Sequence, residues 1–312
     1  MSAQSSPNGW IILDKPVELG STQAVAAVKR NLRQAGLGKV KVGHGGTLDP
    51  LASGILPIAL GEATKLCGRM LDSDKIYDFT ICFGTETDTL DLEGKVVARS
   101  DKFVEGAEVE DVLIEFIGEI EQVPPAYSAL MIDGRRAYDR ARAGEDVSLP
   151  KRNVTIYDLD YLMWWHEGPV PYVTLRAHVS KGTYIRSLAR DIAHALGTVG
   201  HVTMLRRLKA GPFDLSSGPL GAISLDNLNE IGKGAPLENV LLPLEAGLVD
   251  IPALDLGPEQ ARAVRQGRVL AGLAYDDGLY WARSGRVPVA LMELSGGDAR
   301  VVRGFNLPDV AE

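Results

Sequence analysis

The first half of the chain alternates between strand-like and helix-like spacing of its apolar residues. A short apolar run at 9–13 ends at a turn sequence and predicts a buried strand, and the apolar residues after Ser21 recur at helical spacing as far as Gly36. The glycine-rich stretch 42–54 follows neither period and predicts a loop. The later patterns predict a strand at 55–60, a helix at 62–71, a strand at 75–84, a polar loop at 85–94 and a short helix at 109–117.

The second half begins with a segment of different character. Residues 124–153 open on two prolines and contain little periodic apolar sequence, which predicts a long excursion from the core. Beyond a boundary at 244–252, short β runs separated by glycines predict a compact β-rich unit. Between these segments the patterns predict paired strands at 154–165 and 172–179, an amphipathic helix at 183–196 and a strand at 202–209. This order favours a large α/β or α+β domain with a small β-rich appendix.

The composition is that of an ordinary globular protein, but its charge is unevenly distributed. The 312 residues are 45% hydrophobic and carry a net charge of −8. Basic residues without any acid occupy the windows 21–48, 168–190 and 200–212, whereas residues 86–121 are strongly acidic. We therefore expect a basic face, suited to nucleic acid, on a protein that is acidic overall.

Several common classes of protein are excluded by what the sequence lacks. Two cysteines cannot form a disulfide framework, and no apolar run approaches the roughly 18 residues of a membrane span. Residues 1–8 do not suggest a signal peptide. The five histidines lie far apart, so no metal site is predicted, and the acidic residues at 88–93 are interpreted as a solvated loop. No phosphate-binding loop, dinucleotide-binding motif or nucleophile elbow is present.

The stretch around Asp49 is a candidate for chemistry. Glycines at three of the four positions 43–46 allow the backbone to approach a ligand closely. Pro50 restricts Asp49 to extended backbone, and the preceding window is basic, so an ionised Asp49 could act as a nucleophile or a base. The alternative is that Asp49 only forms a turn or caps a helix at Pro50. The local sequence leaves both open.

Three further side chains are candidates. Tyr184 and Arg186 lie at the start of a predicted helix, where an arginine could pair with a carboxylate through two hydrogen bonds. Tyr77 shares a strand face with apolar residues and could provide a stacking surface for a base. The alternatives are an exposed arginine and tyrosines of the core whose hydroxyls have partners.

The chain also carries seven short blocks in a characteristic order. They are Gly-His-Gly-Gly-Thr-Leu-Asp-Pro-Leu-Ala-Ser-Gly at 43–54, Leu-Gly-Glu-Ala-Thr-Lys at 60–65, Leu-Asp-Ser-Asp-Lys-Ile-Tyr at 71–77, Thr-Asp-Thr at 87–89, Pro-Pro-Ala-Tyr-Ser-Ala-Leu at 124–130, Lys-Gly-Thr-Tyr-Ile-Arg at 181–186 and Leu-Arg-Arg-Leu at 205–208. In this combination, over roughly 9–243, the sequence resembles the TruB family of tRNA pseudouridine synthases. The resemblance is weak after Leu244.

The resemblance implies roles for six residues. Asp49 matches the family's catalytic aspartate, Tyr77 matches the tyrosine that stacks on the target base, and Arg186 matches the arginine that pairs with the aspartate. The remaining matches are substrate-binding residues, namely His44 near the flipped nucleotide and Tyr184 and Leu205 in the uridine pocket.

The resemblance also implies a fold with two domains. Residues 1–246 would form the catalytic domain, whose central mixed, largely antiparallel sheet is flanked by helices. An insertion at about 124–153 would grip RNA. Residues 247–312 would form a small PUA-like RNA-binding domain, as members of the family commonly end.

The implied activity is the isomerisation of uridine to pseudouridine at position 55 in the T loop of tRNA. The enzyme would extrude the base from the folded loop and would need no cofactor or metal, because the reaction imports no group and changes no oxidation state. It would bind the T-arm and elbow of tRNA in the cytoplasm, as a monomer without membrane or obligate protein partner.

Two other functions stay open from the sequence. The chain could be chiefly a tRNA-binding folding chaperone, although the intact set of Asp49, Tyr77 and Arg186 speaks against it. It could be a guide-RNA-dependent relative, although the chain has no long basic tails. The sequence also leaves open whether Asp49 attacks the sugar, adds to the base or removes a sugar proton.

Overall fold

The computed structural model describes residues 6–307, which form a large mixed sheet, a smaller sheet and flanking helices. The strands in chain order are β1 (Gly9–Lys15), β2 (Val42–His44), β3 (Ala52–Leu60), β4 (Lys75–Phe83), β5 (Thr85–Thr87), β6 (Val96–Arg99), β7 (Gly118–Gln122), β8 (Met131–Ile132), β9 (Arg135–Arg136), β10 (Arg152–Glu167), β11 (Val170–Val179), β12 (Gly200–Ala210), β13 (Phe213–Asp214), β14 (Ala253–Asp255), β15 (Gly278–Ser284), β16 (Val287–Ser295) and β17 (Asp298–Gly304).

The α-helices lie between these strands, and short 3-10 turns occur at 61–66, 114–116, 237–239 and 244–247. In chain order the helices are α1 (Ser21–Gln34), α2 (Cys67–Asp72), α3 (Gly106–Leu113), α4 (Ala137–Arg142), α5 (Ile185–Ala195), α6 (Leu225–Gly232) and α7 (Pro258–Arg265).

The large sheet has the order β1-β3-β12-β4-β11-β10-β7, with β2 added at β3 and β13 at β12. Its neighbours along this path are antiparallel except β3 and β12, which run parallel with Ala52 opposite Leu205. The prediction of a mixed, largely antiparallel sheet flanked by helices is confirmed. The parallel pair brings the start of β3, and the glycine-rich loop before it, beside the middle of β12.

Two apolar clusters meet near the middle of the sheet. One contains Phe79 and Ile81 of β4 with the buried face of α5, and the other contains alternate residues of β1 and β3 with α1 and α6. Tyr77 and Leu205 are half-buried and pack against both clusters. Because side chains of a strand alternate between its faces, the other residues of β1 and β3 point into a third cluster.

Some local predictions are wrong. The stretch 42–54 is a loop only at 45–51, because β2 and the start of β3 occupy its two ends. A three-residue strand such as β2 is too short to show a period, and it forms through its pairing with the end of β3. The segment 62–71 begins as a 3-10 turn before α2, and the polar segment 85–94 contains β5, which pairs with β6.

The excursion at 124–153 leaves the sheet after β7 and returns at β10, two strands that are themselves paired. It contains the two-residue strands β8 and β9, followed by α4. Arg136 and Arg142 are exposed and lie on the ring of Tyr138 at 5.7 and 5.4 Å from its centroid. The tip of the excursion therefore presents cations and an aromatic ring to solvent.

The C-terminal part contains the sheet β14-β15-β16-β17 and α7, with an apolar cluster of its own. It packs on the first part through Leu291 and Phe305, which join the cluster around Trp10. Polar contacts support this packing, including Lys65 Nζ to the Gly304 carbonyl at 2.8 Å. The boundary between residues 246 and 247 stays a prediction. Among the helices of residues 6–307, none has the length and apolar character that crossing a membrane requires.

The β3–β12 contact gives the first testable prediction. Gly54 has φ of +101°, and a Cβ there would lie 2.1 Å from the Arg207 carbonyl oxygen. We expect Gly54→Ala to lower the free energy of unfolding by at least about 2 kcal/mol, since strain and a backbone clash add. Urea unfolding followed by circular dichroism measures this change.

Gly285→Ala is the matched control, because Gly285 also has positive φ but an added Cβ would meet nothing within 4 Å. We expect a loss of about 1 kcal/mol there, from backbone conformation alone. Equal losses in the two variants would contradict the close approach of β3 to β12.

Candidate active site

The loop 45–51 is held in place on the side of α1. The hydroxyl of Ser21, the first residue of α1, accepts from the Leu48 N–H at 2.8 Å and donates to the Leu48 carbonyl at 2.9 Å. The Glu18 N–H donates to the Pro50 carbonyl at 2.8 Å. These bonds hold the backbone on both sides of Asp49. They add to the restriction that the ring of Pro50 places on the backbone there.

Arg207 supports the same loop from the sheet. This residue of β12 is buried, and its guanidinium donates to the Ile55 carbonyl at 2.7 Å, the Gly46 carbonyl at 3.1 Å and the Thr47 carbonyl at 3.4 Å. The basic window 200–212 is therefore not all available to a partner. Its neighbour Arg206 also has an internal partner, the Asp14 carboxylate, at 2.7 Å.

Lys15 is a second buried cation below the loop. Its Nζ donates to the carbonyls of Pro16 at 2.9 Å, Leu19 at 2.7 Å and Pro50 at 3.3 Å. Burial lowers the pKa of Lys15 to about 8, the Asp49 charge opposes this shift, and the Arg207 charge adds to it.

Asp49 forms an ion pair with Arg186. Arg186 Nη2 lies 2.8 Å from Asp49 Oδ2, and Arg186 Nη1 lies 3.3 Å from Asp91 Oδ2. The same guanidinium donates to the carbonyls of Thr89 at 2.8 Å and Tyr127 at 3.1 Å. The Arg186 side chain is only 7% exposed, whereas that of Asp49 is 41% exposed. The Asp49 carboxylate is thus held by a buried arginine while part of it stays accessible to solvent.

Asp91 is the enclosed member of this group. Its side chain is 11% exposed, and its Oδ1 accepts from the Thr89 hydroxyl at 2.5 Å and the Glu93 N–H at 3.0 Å. The interpretation of residues 88–93 as a solvated acidic loop is therefore wrong for Asp91. The aspartate helps to hold Arg186, because a buried guanidinium needs acceptors on several sides.

A cleft of about 280 Å³, part of it open to solvent, lies in front of Asp49. Asp91, Arg186 and Leu205 also line it, together with residues 51–52 and 202–204. Leu205 and Tyr77 pack against the same two apolar clusters, but Tyr77 is not among the residues that line the cleft. The cleft combines apolar walls with one accessible carboxylate, which suits a flat, weakly polar ring.

His44 and Tyr184 lie beside this cleft rather than among its lining residues. His44 Nδ1 accepts from the Gly46 N–H at 3.4 Å, and burial, with a contribution from Arg207, lowers the pKa of His44. Its imidazole is therefore neutral at pH 7. Tyr184 directly precedes α5, and its N–H donates to Gln122 Oε1 at 2.8 Å. The Arg152 guanidinium lies over the Tyr184 ring, 4.6 Å from the ring centroid.

The sequence patterns do not reveal the supporting roles of Lys15, Asp91 and Arg207. Lys15 stood in a turn sequence and Arg207 in a basic window, and both patterns are also typical of surface residues. For Asp91, Thr89 two residues before it was a usable signal, because a nearby hydroxyl can hydrogen-bond the acid; the Thr87 hydroxyl donates instead to the Asp91 backbone carbonyl. Within residues 6–307, no group of three or more histidine, cysteine or acidic side chains is arranged to hold a metal ion.

Comparison with known families covers most of the chain. Residues 30–185 match the model of the TruB family pseudouridylate synthase N-terminal domain. Residues 186–249 match that of the tRNA pseudouridylate synthase B C-terminal domain.

Individual relatives agree with the family models. The chain is 73% identical to tRNA pseudouridine synthase B of Novosphingobium aromaticivorans, over 98% of this chain and 99% of that protein. It is 58% identical to tRNA pseudouridine synthase B of Zymomonas mobilis, over 96% of each. Among solved structures, an H/ACA ribonucleoprotein bound to a substrate RNA containing 2′-deoxyuridine has a chain that matches with a TM-score of 0.71 at 27% identity. That match covers 96% of this chain and 85% of the other.

The lowered pKa of Lys15 gives a prediction that can be tested by titration. We expect ¹³C NMR of the lysine Cε atoms to show resonances that titrate near pH 8, from Lys15 and Lys75, well below 10.5. Lys15→Met identifies the Lys15 resonance by its loss. A Lys15 resonance that titrates near 10.5 would contradict the buried geometry.

The sign of the effect on stability follows from linkage. Between pH 8 and 10.5 the unfolded chain keeps the Lys15 proton while the folded protein releases it. The contribution of Lys15 to the free energy of unfolding therefore increases as pH rises through this range, and it is smallest below pH 8.

Proposed function

The chain belongs to the TruB family of pseudouridylate synthases, and we propose that it uses Asp49 to convert uridine 55 in the T loop of tRNA into pseudouridine. The family and its relatives make it a tRNA pseudouridine synthase. The main support for the proposed role of Asp49 is its ion pair with Arg186 in a cleft that both residues line.

The reaction needs a fixed carboxylate more than any imported group. The N1–C1′ bond of uridine breaks, the base turns, C5 bonds to C1′, the C5 proton leaves and N1 gains a proton. A carboxylate can attack C1′, add to the base or remove a sugar proton, and each role requires it to be ionised and correctly aimed. Arg186 supplies the aim, because its ion pair and its other contacts fix the position and orientation of the Asp49 carboxylate.

Tyr77 and Leu205 are proposed to receive the extruded base. Removing a base from a folded RNA loop costs a few kcal/mol, and stacking on an aromatic ring returns about 1–3 kcal/mol. Both side chains are half-buried at the junction of two clusters, so packing limits their movement. A neutral His44 would occupy space beside the flipped nucleotide without adding charge, and Tyr184 would line the far side of the pocket.

The surfaces proposed to hold tRNA lie outside the cleft. The excursion 124–153 offers exposed Arg136 and Arg142, which suit the phosphates of the T-arm and elbow. On α1, Lys29, Arg30 and Arg33 are exposed as well. We assign residues 1–246 to catalysis and residues 247–312 to a PUA-like RNA-binding domain. We expect a monomer that acts in the cytoplasm without a protein partner.

Replacing Asp49 tests the proposed catalytic role. We expect Asp49→Asn to reduce pseudouridine formation by more than about 10³-fold, since an amide cannot act as a nucleophile or base. Affinity for tRNA should stay close to that of the wild type, because no cation is removed. Mapping of the modified uridine and filter binding measure the two properties.

Asp101→Asn is the matched control, because Asp101 is exposed and outside the cleft. It should leave product formation unchanged. Turnover by Asp49→Asn that approaches the wild-type rate would refute the assignment of Asp49.

Removal of metal tests the chemistry separately. The isomerisation balances without an oxidant, a nucleotide or a transferred group, so we expect full conversion of a prefolded tRNA transcript by the purified protein in EDTA. A T-arm stem-loop, which folds without magnesium, controls for loss of tRNA structure. Loss of activity on the stem-loop that only added metal restores would overturn this mechanism.

A further inference from the structure

Arg152 is a half-buried arginine that has no ion-pair partner within residues 6–307. Its Nε and Nη2 atoms are enclosed and have no hydrogen-bond acceptor among residues 6–307, whereas Nη1 is not enclosed in this way. Its observed contact is with a ring, since the guanidinium lies 4.6 Å from the centroid of Tyr184. Removing a guanidinium from water without an anionic partner is unfavourable. An anion from outside the chain would therefore supply the acceptor oxygens and the negative charge that Arg152 lacks here.

Gln122 provides a second, independent sign of a missing acceptor. Arg152 and Gln122 are directly opposite each other on β10 and β7. Gln122 is fully buried, its Oε1 accepts from the Tyr184 N–H at 2.8 Å, and its Nε2 has no acceptor in the described part of the chain. Two adjacent side chains thus present unused N–H donors, which calls for a group rich in acceptor oxygens.

The position of this pair relates it to the active site. Tyr184 contacts both side chains. The Arg152 guanidinium lies over its ring, and its N–H donates to Gln122 Oε1. Two residues further on, Arg186 holds Asp49 at 2.8 Å. A group bound at Arg152 would therefore lie close to whatever occupies the cleft in front of Asp49.

Resting on the proposed function, we propose that Arg152 binds a backbone phosphate of the substrate RNA within one or two nucleotides of the target uridine. The phosphate accepts from the Arg152 guanidinium after a small rotation that exposes its enclosed nitrogens. The contact with the ring of Tyr184, whose N–H donates to Gln122, keeps this arginine in register with the start of α5. Arg152 is then a substrate-binding residue that positions the nucleotide relative to Asp49.

Arg152→Met tests this assignment, because methionine keeps an apolar contact with Tyr184 and removes the charge. Each phosphate contact contributes a slope of about −0.7 to −0.9 to log K against log salt. Between 50 and 200 mM salt, the affinity of Arg152→Met for fully modified tRNA should therefore fall about three-fold less than that of the wild type. Fully modified tRNA is the probe because it cannot be converted further during the measurement.

Lys102→Met is the matched control. Lys102 lies in the acidic segment 86–121, outside the excursion, is exposed, and is paired with Glu108 at 3.5 Å. It should keep the wild-type salt dependence, and Arg152→Lys should recover part of the lost affinity. Melting temperature separates binding from a structural role: we expect Arg152→Met to melt no lower than the wild type, because an unpaired half-buried charge is removed.

A set of T-arm stem-loops identifies the phosphate. Each carries one neutral methylphosphonate, at a different position around the target uridine. We expect one position to weaken binding to the wild type and to have no further effect on Arg152→Met. If Arg152→Met melts lower and keeps the wild-type salt dependence, or if no position shows this coupling, the inference is wrong. Product formation by the wild type tests the proposed function separately, so the two can fail independently.

Discussion

The structure around the cleft depends on the burial of one guanidinium, that of Arg186. Its hydrogen bonds and ion pairs reach three separate segments, at Asp49, at Thr89 and Asp91, and at Tyr127. An enclosed arginine is tolerated only when acceptors surround it, so those segments must come together for any of them to be stable there. The carboxylate of Asp49 is oriented as a consequence of this requirement.

The loop that carries Asp49 is supported by buried cations instead of by apolar packing alone. Lys15 and Arg207 use their hydrogen bonds on backbone carbonyls of residues 46–50 and on neighbouring carbonyls. Backbone carbonyls are neutral acceptors, so the positive charges below the loop are not cancelled locally. Burial lowers the pKa of Lys15 to about 8, and the charge of Asp49 opposes this shift.

The sequence predicted most of the regular elements, but it did not predict how the side chains around Asp49 are held. Periodicity was sufficient for α5, which buries one face along its length, and for β4, whose alternate residues 77, 79, 81 and 83 share an apolar face. Asp91 and Arg207 were misjudged because their burial comes from contacts with Arg186 and with Gly46, both distant in sequence. Local patterns of charge cannot distinguish a solvated side chain from one that a distant segment encloses.

The base and the tip of the excursion 124–153 are attached differently, so they differ in how freely their conformation and sequence can change. Its base is tied to α5, since the Val123 carbonyl accepts from Ser187 and Arg190 and the Tyr127 carbonyl accepts from Arg186. Its tip is tied mainly to itself, through the β8–β9 pair and the bonds of Ala137 and Tyr138 to residues 128–130. The tip can therefore swing, lengthen or shorten in evolution while the chemical centre keeps its shape. A change that displaces Tyr127 would also disturb Arg186, which holds Asp49.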